Sequence, residues 1–104
     1  MAIGDDLHNL ASSLLKLMQA TDSIQEKIAL RRQLTAVLEE TERIIAVNID
    51  TASAEYAAAT RGIDGASAAI NAALEDLSKV AATIETVAKA IDLLSKLAAQ
   101  AGLI

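Results

Sequence analysis

Arg61-Gly62-Ile63-Asp64-Gly65 is the stretch that decides the fold. It places two glycines three residues apart in a chain that has only four Gly and no Pro. Gly62 suits the left-handed position just past a helix end. Asp64 suits an N-cap, where its side chain accepts from the free N–H groups of a following helix. The chain is therefore expected to reverse here.

Upstream of the turn, apolar positions recur at helical spacing. Ile24, Ile28, Leu30, Leu34, Val37, Leu38, Thr41, Ile44, Ile45, Ile49, Ala52, Tyr56 and Ala59 are taken as one stripe. They predict a long helix over about 23–60, spanning ~55 Å at 1.5 Å per residue. Ser23 with Glu26 matches a capping box at its start. Asn48-Ile49-Asp50-Thr51 is its weak point, because these polar types prefer helix ends. Downstream, Ile70, Leu74, Leu77, Ala81, Ile84, Ala88, Ile91, Ser95 and Ala98 alternate spacings of four and three, a heptad seam. They predict a helix over about 65–101. Glu75–Lys79, Glu85–Lys89 and Asp92–Lys96 mark its solvated side, each pair contributing only ~0.2–0.5 kcal/mol. Near the N-terminus, Leu7, Leu10, Leu14 and Leu17 predict a shorter helix over about 5–20, with Asp5 and Asp6 in its first turn.

The expected fold is all-α. Two long helices form an elongated antiparallel hairpin around Gly62, and the short N-terminal helix completes a three-helix, coiled-coil-like base. One helical domain, 1–104, is the expectation for this length. The register of the hairpin sets Ala59 near Ala68, Ala52 near Leu74 and Ile24 near Leu103. Its far end would be lined mainly by alanine, which buries little area and so contributes little core energy. Such an end invites a second copy, with a four-helix or larger bundle formed by dimerisation. The expected interface at this tip is Ala52, Tyr56, Ala59, Ala66, Ala69 and Ala73. Asn48 and Thr41 are polar groups on the inner face that could fix register.

Composition narrows the chemistry. The 104 residues include 23 Ala, 14 Leu and 11 Ile, one Tyr, no Trp or Phe, and no Cys. Without Cys there is no disulfide scaffold, thiol nucleophile or cysteine zinc site. A single aromatic residue does not make a base-stacking platform. Fourteen acidic against nine basic residues give a net charge of −5, which opposes binding to phosphate backbones and anionic bilayers. No nucleic acid is expected as partner, and a membrane is not the expected one. No basic leader precedes an apolar run, so the cytoplasm is the expected compartment; leaderless export would leave no mark in the sequence. No Trp-x-Gly turn or other family motif is present.

Single residues add little. His8 is the only histidine, and with no Glu-x-x-His unit it is expected to be a surface residue rather than a metal ligand. Ser12, Ser13, Ser53, Ser67, Ser78 and Ser95 lack a nucleophile-elbow setting. Gly62-x-x-Gly65 lacks the Lys-Ser/Thr of a phosphate loop. No catalytic residue, cofactor or metal is expected. Lys27, Arg31 and Arg32, joined by Lys96 in the expected register, balance the negative end of the last helix. Asp5, Asp6, Glu39, Glu40 and Glu42 form an acidic patch that could dock a basic protein. The expected role is a non-enzymatic helical protein–protein interaction module that self-associates through its hairpin. One alternative is an acidic immunity- or inhibitor-like protein that binds a basic protein. Another is a membrane-active or assembly-forming helical component.

Overall fold

The chain reverses at Asp76, not at Gly62. Asp76 has an extended backbone (φ −146°, ψ 97°). Its N–H donates to the carbonyls of Ala72 and Ala73 at 3.0 and 3.2 Å, closing the preceding helix. Its carboxylate accepts from the backbone N–H of Ser78 at 3.1 Å and from the Ser78 hydroxyl at 2.7 Å. Asp76 therefore ends one helix and caps the next turn. The Ser78 hydroxyl, followed by its backbone N–H, holds the carboxyl below its ordinary value of 3.8.

The computed structural model describes residues 3–46 and 52–102. Regular structure among these is helical throughout: α1 (Ile3–Ala20), α2 (Ile24–Ile45), α3 (Ala54–Glu75) and α4 (Val80–Gly102). A single 3-10 turn, Leu77–Lys79, leads into α4. The expected all-α class holds. The three-helix arrangement with boundaries at 60 and 65 is corrected to four helices. The expected helix over 23–60 gives way to α2 and α3, and the one over 65–101 is divided at Asp76. The weak point Asn48–Thr51 and Leu103 lie outside the described residues.

Local signals explain the boundaries. Thr21 ends α1: its N–H and hydroxyl both donate to the Leu17 carbonyl, at 3.0 and 2.7 Å. Ser23 caps α2 by accepting from the Glu26 N–H at 3.3 Å, as the capping-box pattern predicts. Ser53 caps α3 in the same way, accepting from the Tyr56 N–H at 3.1 Å.

The helices stand at four corners. α1 packs against α2 and α3, and α4 packs against α2 and α3. The Gln33 side chain of α2 donates to the Ile84 carbonyl of α4 at 2.7 Å. Ten residues further along α2, Arg43 shares a surface depression with Ser95 of α4. Equal advance along both chains means that α2 and α4 run parallel. The long-hairpin register, in which these segments were antiparallel, is thereby overturned. The molecule measures 43 × 19 × 19 Å, shorter than the ~55 Å rod that one uninterrupted helix implied.

The core is a ladder of inward residues. Leu7, Leu10, Leu14 and Leu17 of α1, Ala59, Ala66, Ile70 and Ala73 of α3, and Val80, Val87 and Leu94 of the last helical segment are all fully buried. From α2 come Leu30 and Val37, also fully buried. Gly62 sits within α3, and neither it nor Gly65 has a positive φ. A Cβ at Gly62 would lie 2.9 Å from Leu93 Cδ1 and 3.4 Å from the Ala90 Cα. Its role is close approach of α3 to α4, not chain reversal. The Thr83 hydroxyl, which donates to Lys79 at 2.9 Å, also reaches the Ala69 carbonyl at 3.2 Å across the same tight contact. Small residues do bring two helices together here, as the composition suggested, but the partner of the alanine-rich segment is α4.

Candidate protein-interaction face

α2 carries two seams. Leu30, Gln33, Val37, Glu40 and Ile44 alternate spacings of three and four and face inward, and all are buried. Ile24, Ile28, Arg31, Thr35, Leu38, Glu42 and Ile45 alternate spacings of four and three and are all exposed. Ile24 is 74% exposed, Ile45 69%, Leu38 49% and Ile28 47%. These are four of the six exposed large hydrophobic residues among those described. Scattered exposed apolar residues are ordinary; a set aligned on one helix at heptad spacing is not scattered.

The inner seam, by contrast, holds polar groups. Gln33 donates to Ile84, yet its Oε1 is buried without a hydrogen-bond partner. Glu40 accepts from Arg43 Nη1 at 2.8 Å, and its Oε2 is likewise buried without a partner. Two polar side chains thus lie inside, beside Leu30, Val37 and Ile44, while other isoleucines of the same helix lie outside, a departure from the usual helix pattern. Glu40→Leu is expected to raise the free energy of unfolding by about 1 kcal/mol, since a buried carboxylate with one unmatched oxygen is replaced by an apolar side chain of similar size. Arg43, 62% exposed, stays solvated. A higher urea midpoint at unchanged slope is the expected reading; a lower midpoint would show that the pair stabilises the bundle.

The outer face has a shape and a charge pattern. A depression of about 390 Å³ is lined by Ile28, Arg31, Arg32, Thr35, Ala36 and Glu39. All six belong to one helix, so this is an open surface rather than an enclosed chamber. A neighbouring depression of about 360 Å³ shares Ile28 and Arg31 and reaches Met18, Gln19, Ile24 and Lys27. Charge divides along the helix. Lys27, Arg31 and Arg32 lie in its first half, and Glu39 and Glu42 in its second. The exceptions are Glu26, half-buried in the first turn, and Arg43, which is engaged by Glu40.

The residues singled out from sequence are placed differently. Ala59, Ala66 and Ala73 of the expected tip are fully buried. Ala69 and Tyr56 are half-buried and Ala52 is exposed. Three of these six residues therefore pack within the bundle, and they do so on α3 rather than at the end of a two-helix hairpin. Of the acidic patch, Asp5, Glu39 and Glu42 are exposed and Asp6 half-exposed, but Glu40 is buried. The short α1–α2 connection returns α2 along α1, so the start of α1 and the end of α2 share one end of the bundle. Lys96 does not join Lys27, Arg31 and Arg32. It pairs with Asp92 at 3.2 Å and lies beside Ala54, Glu55 and Ala58, toward the opposite end. Asp92–Lys96 is the one ion pair formed, among the described residues, from the three expected along the last helix. Thr41 is half-buried and bonds back to the Val37 carbonyl at 2.7 Å, while the inner polar positions are Gln33 and Glu40. Asn48 lies outside the described residues. His8 is on the surface.

A single apolar stripe over α2 hides the outer seam, because it joins residues that face in different directions. Leu30 follows Ile28 by two, and Leu38 adjoins Val37. Such close neighbours cannot all share one narrow face, and separating the two heptad series would have exposed the second seam.

Among the described residues no group of three His, Cys, Asp or Glu is placed to hold a metal ion. No described helix is long and apolar enough to cross a membrane. Comparison with known protein families, curated proteins and solved structures found no match to this chain.

Proposed function

We propose that the protein is a non-enzymatic helical interaction module whose contact surface is the outer face of α2. The observation that carries this is the alignment of Ile24, Ile28, Leu38 and Ile45, all exposed, on one side of one helix. Each leaves apolar surface in water that a docked helix or sheet would cover, at ~25 cal/mol per Å² removed from water. The interspersed Arg31, Thr35 and Glu42 keep the face wettable, which suits a surface that is free part of the time. Enzymatic chemistry has no comparable support, because the depressions on this face are open and its titratable groups lie along a convex helix. The acidic-patch alternative is weakened by the inward placement of Glu40 and by the arginines beside Glu39.

A photo-crosslinking amino acid at position 35, in the native host, tests the proposal. Capture of a protein is expected there, and not from the same group at Asp64 on the exposed side of α3. Equal capture at both positions, or none at either, would count against this surface.

A further inference from the structure

Resting on the interaction-module reading, we propose that the occupant of the α2 face is a second copy of this chain, docked antiparallel about a two-fold axis near Thr35. Charge carries the argument. The exposed face is positive in its first half, at Lys27, Arg31 and Arg32, and negative in its second, at Glu39 and Glu42. Turned end for end, it complements itself. Arg31 and Arg32 come opposite Glu39 of the other copy, and Lys27 comes opposite Glu42. A two-fold axis makes each such contact twice. Parallel docking would instead set Lys27, Arg31 and Arg32 against their own counterparts, a like-charge arrangement that disfavours it. Arg43 would face Lys27 in the antiparallel register, and Arg43 is the one cation of the helix already held by a carboxylate, Glu40 at 2.8 Å.

The apolar seam agrees with the same axis. Turned end for end about Thr35, the series comes back within one residue of itself, with three positions on either side of the axis. Ile24 then meets Ile45, and Leu38 packs along the aliphatic stem of Arg31, whose charged head can stay in water. At the centre lie Thr35 and Ala36, small residues that line the 390 Å³ depression and leave room for the facing side chains. Small residues at a crossing let helix axes approach to the near end of the usual ~8–10 Å spacing. The contact is one helix wide and ~33 Å long. That is at the small end of specific interfaces, so dissociation constants on the order of 10 to 100 µM are expected.

Sedimentation velocity of the full chain from about 1 to about 300 µM brackets that range. The wild type is expected to pass from monomer to dimer. Arg31→Glu/Arg32→Glu makes the face wholly acidic in these positions, and Glu39→Lys/Glu42→Lys makes it basic. Each variant alone is expected to remain monomeric, with helical circular dichroism unchanged because the substituted residues are exposed. Their equimolar mixture is expected to form a heterodimer at least ~10-fold tighter than either self-association. A wild type that stays monomeric throughout overturns the proposal, as does undiminished dimerisation of both variants or a mixture that does not associate. Capture from position 35 of a different protein, with a monomeric wild type, removes the second copy while leaving α2 as the interaction surface. A monomeric wild type together with no capture at all removes both.

Discussion

Leu14→Ala is expected to lower the free energy of unfolding by about 3–4 kcal/mol. Leu14 is fully buried, as are Leu7, Leu10 and Leu17 along the same face of α1. α1 packs against both α2 and α3, so a cavity there is walled by two other helices and cannot close by a shift of one. Removing three carbons loses their transfer energy, and the unfilled volume adds to the loss. Against a total of ~5–15 kcal/mol for a domain, that is a large fraction. The thermal midpoint is expected to fall by roughly 12–30 °C, at ~4–8 °C per kcal/mol for a chain of this size. Had α1 been a short helix laid beside a two-helix rod, the rod would have kept much of its structure when α1 was weakened. In the four-cornered arrangement the loss is expected to be cooperative, with helical signal from all four helices falling together. Unfolding of α1 ahead of the rest would contradict this placement.

The two glycines of Arg61–Gly65 are expected to respond in opposite directions. Gly62→Leu is expected to destabilise by about 2–3 kcal/mol, because the added side chain meets Leu93 and the Ala90 backbone where α3 and α4 touch. Separating the helices would also strain the hydrogen bond from Thr83 to the Ala69 carbonyl. Gly65→Ala is expected to stabilise by about 1 kcal/mol, the propensity difference inside a helix. A Cβ there meets nothing within 4 Å, and the residue is exposed. Gly62→Ala should fall near neutral. Its methyl displaces the end of a flexible leucine, and the gain in helix propensity offsets the crowding. Urea midpoints for the three variants check the set. A chain reversal at Gly62 would give another pattern, with Gly62→Ala clearly destabilising because alanine is disfavoured in the left-handed conformation.

Several elements were legible locally. Leu7, Leu10, Leu14 and Leu17 predicted the buried face of α1, and each is inside. Ser23 and Glu26 predicted the start of α2. These succeed because a helix face or cap depends on residues within one or two turns. Arg61–Gly65 misled for the same reason. Two glycines cost a helix only ~1 kcal/mol each, and tertiary packing of α3 against α4 outweighs that local preference. Asp76 carried a real signal, an Asp two residues before a Ser, hidden because Leu77 fitted the heptad series without a gap. The outer seam of α2 was visible in the residues but not in their burial. Ile24, Ile28 and Leu38 look like core until the neighbours of α2 are known.

By itself, then, the amino-acid order determined an all-helical chain with an acidic, cysteine-free surface and the inward side of its first helix. Those properties follow from composition and from periodicities that act over a few residues. Only the assembled bundle decided that the described residues form four helices, that α2 and α4 run parallel, and that four large apolar side chains of α2 remain in solvent. Which face of a helix is covered depends on how many neighbours it has and where they stand, and that is a property of the packed whole.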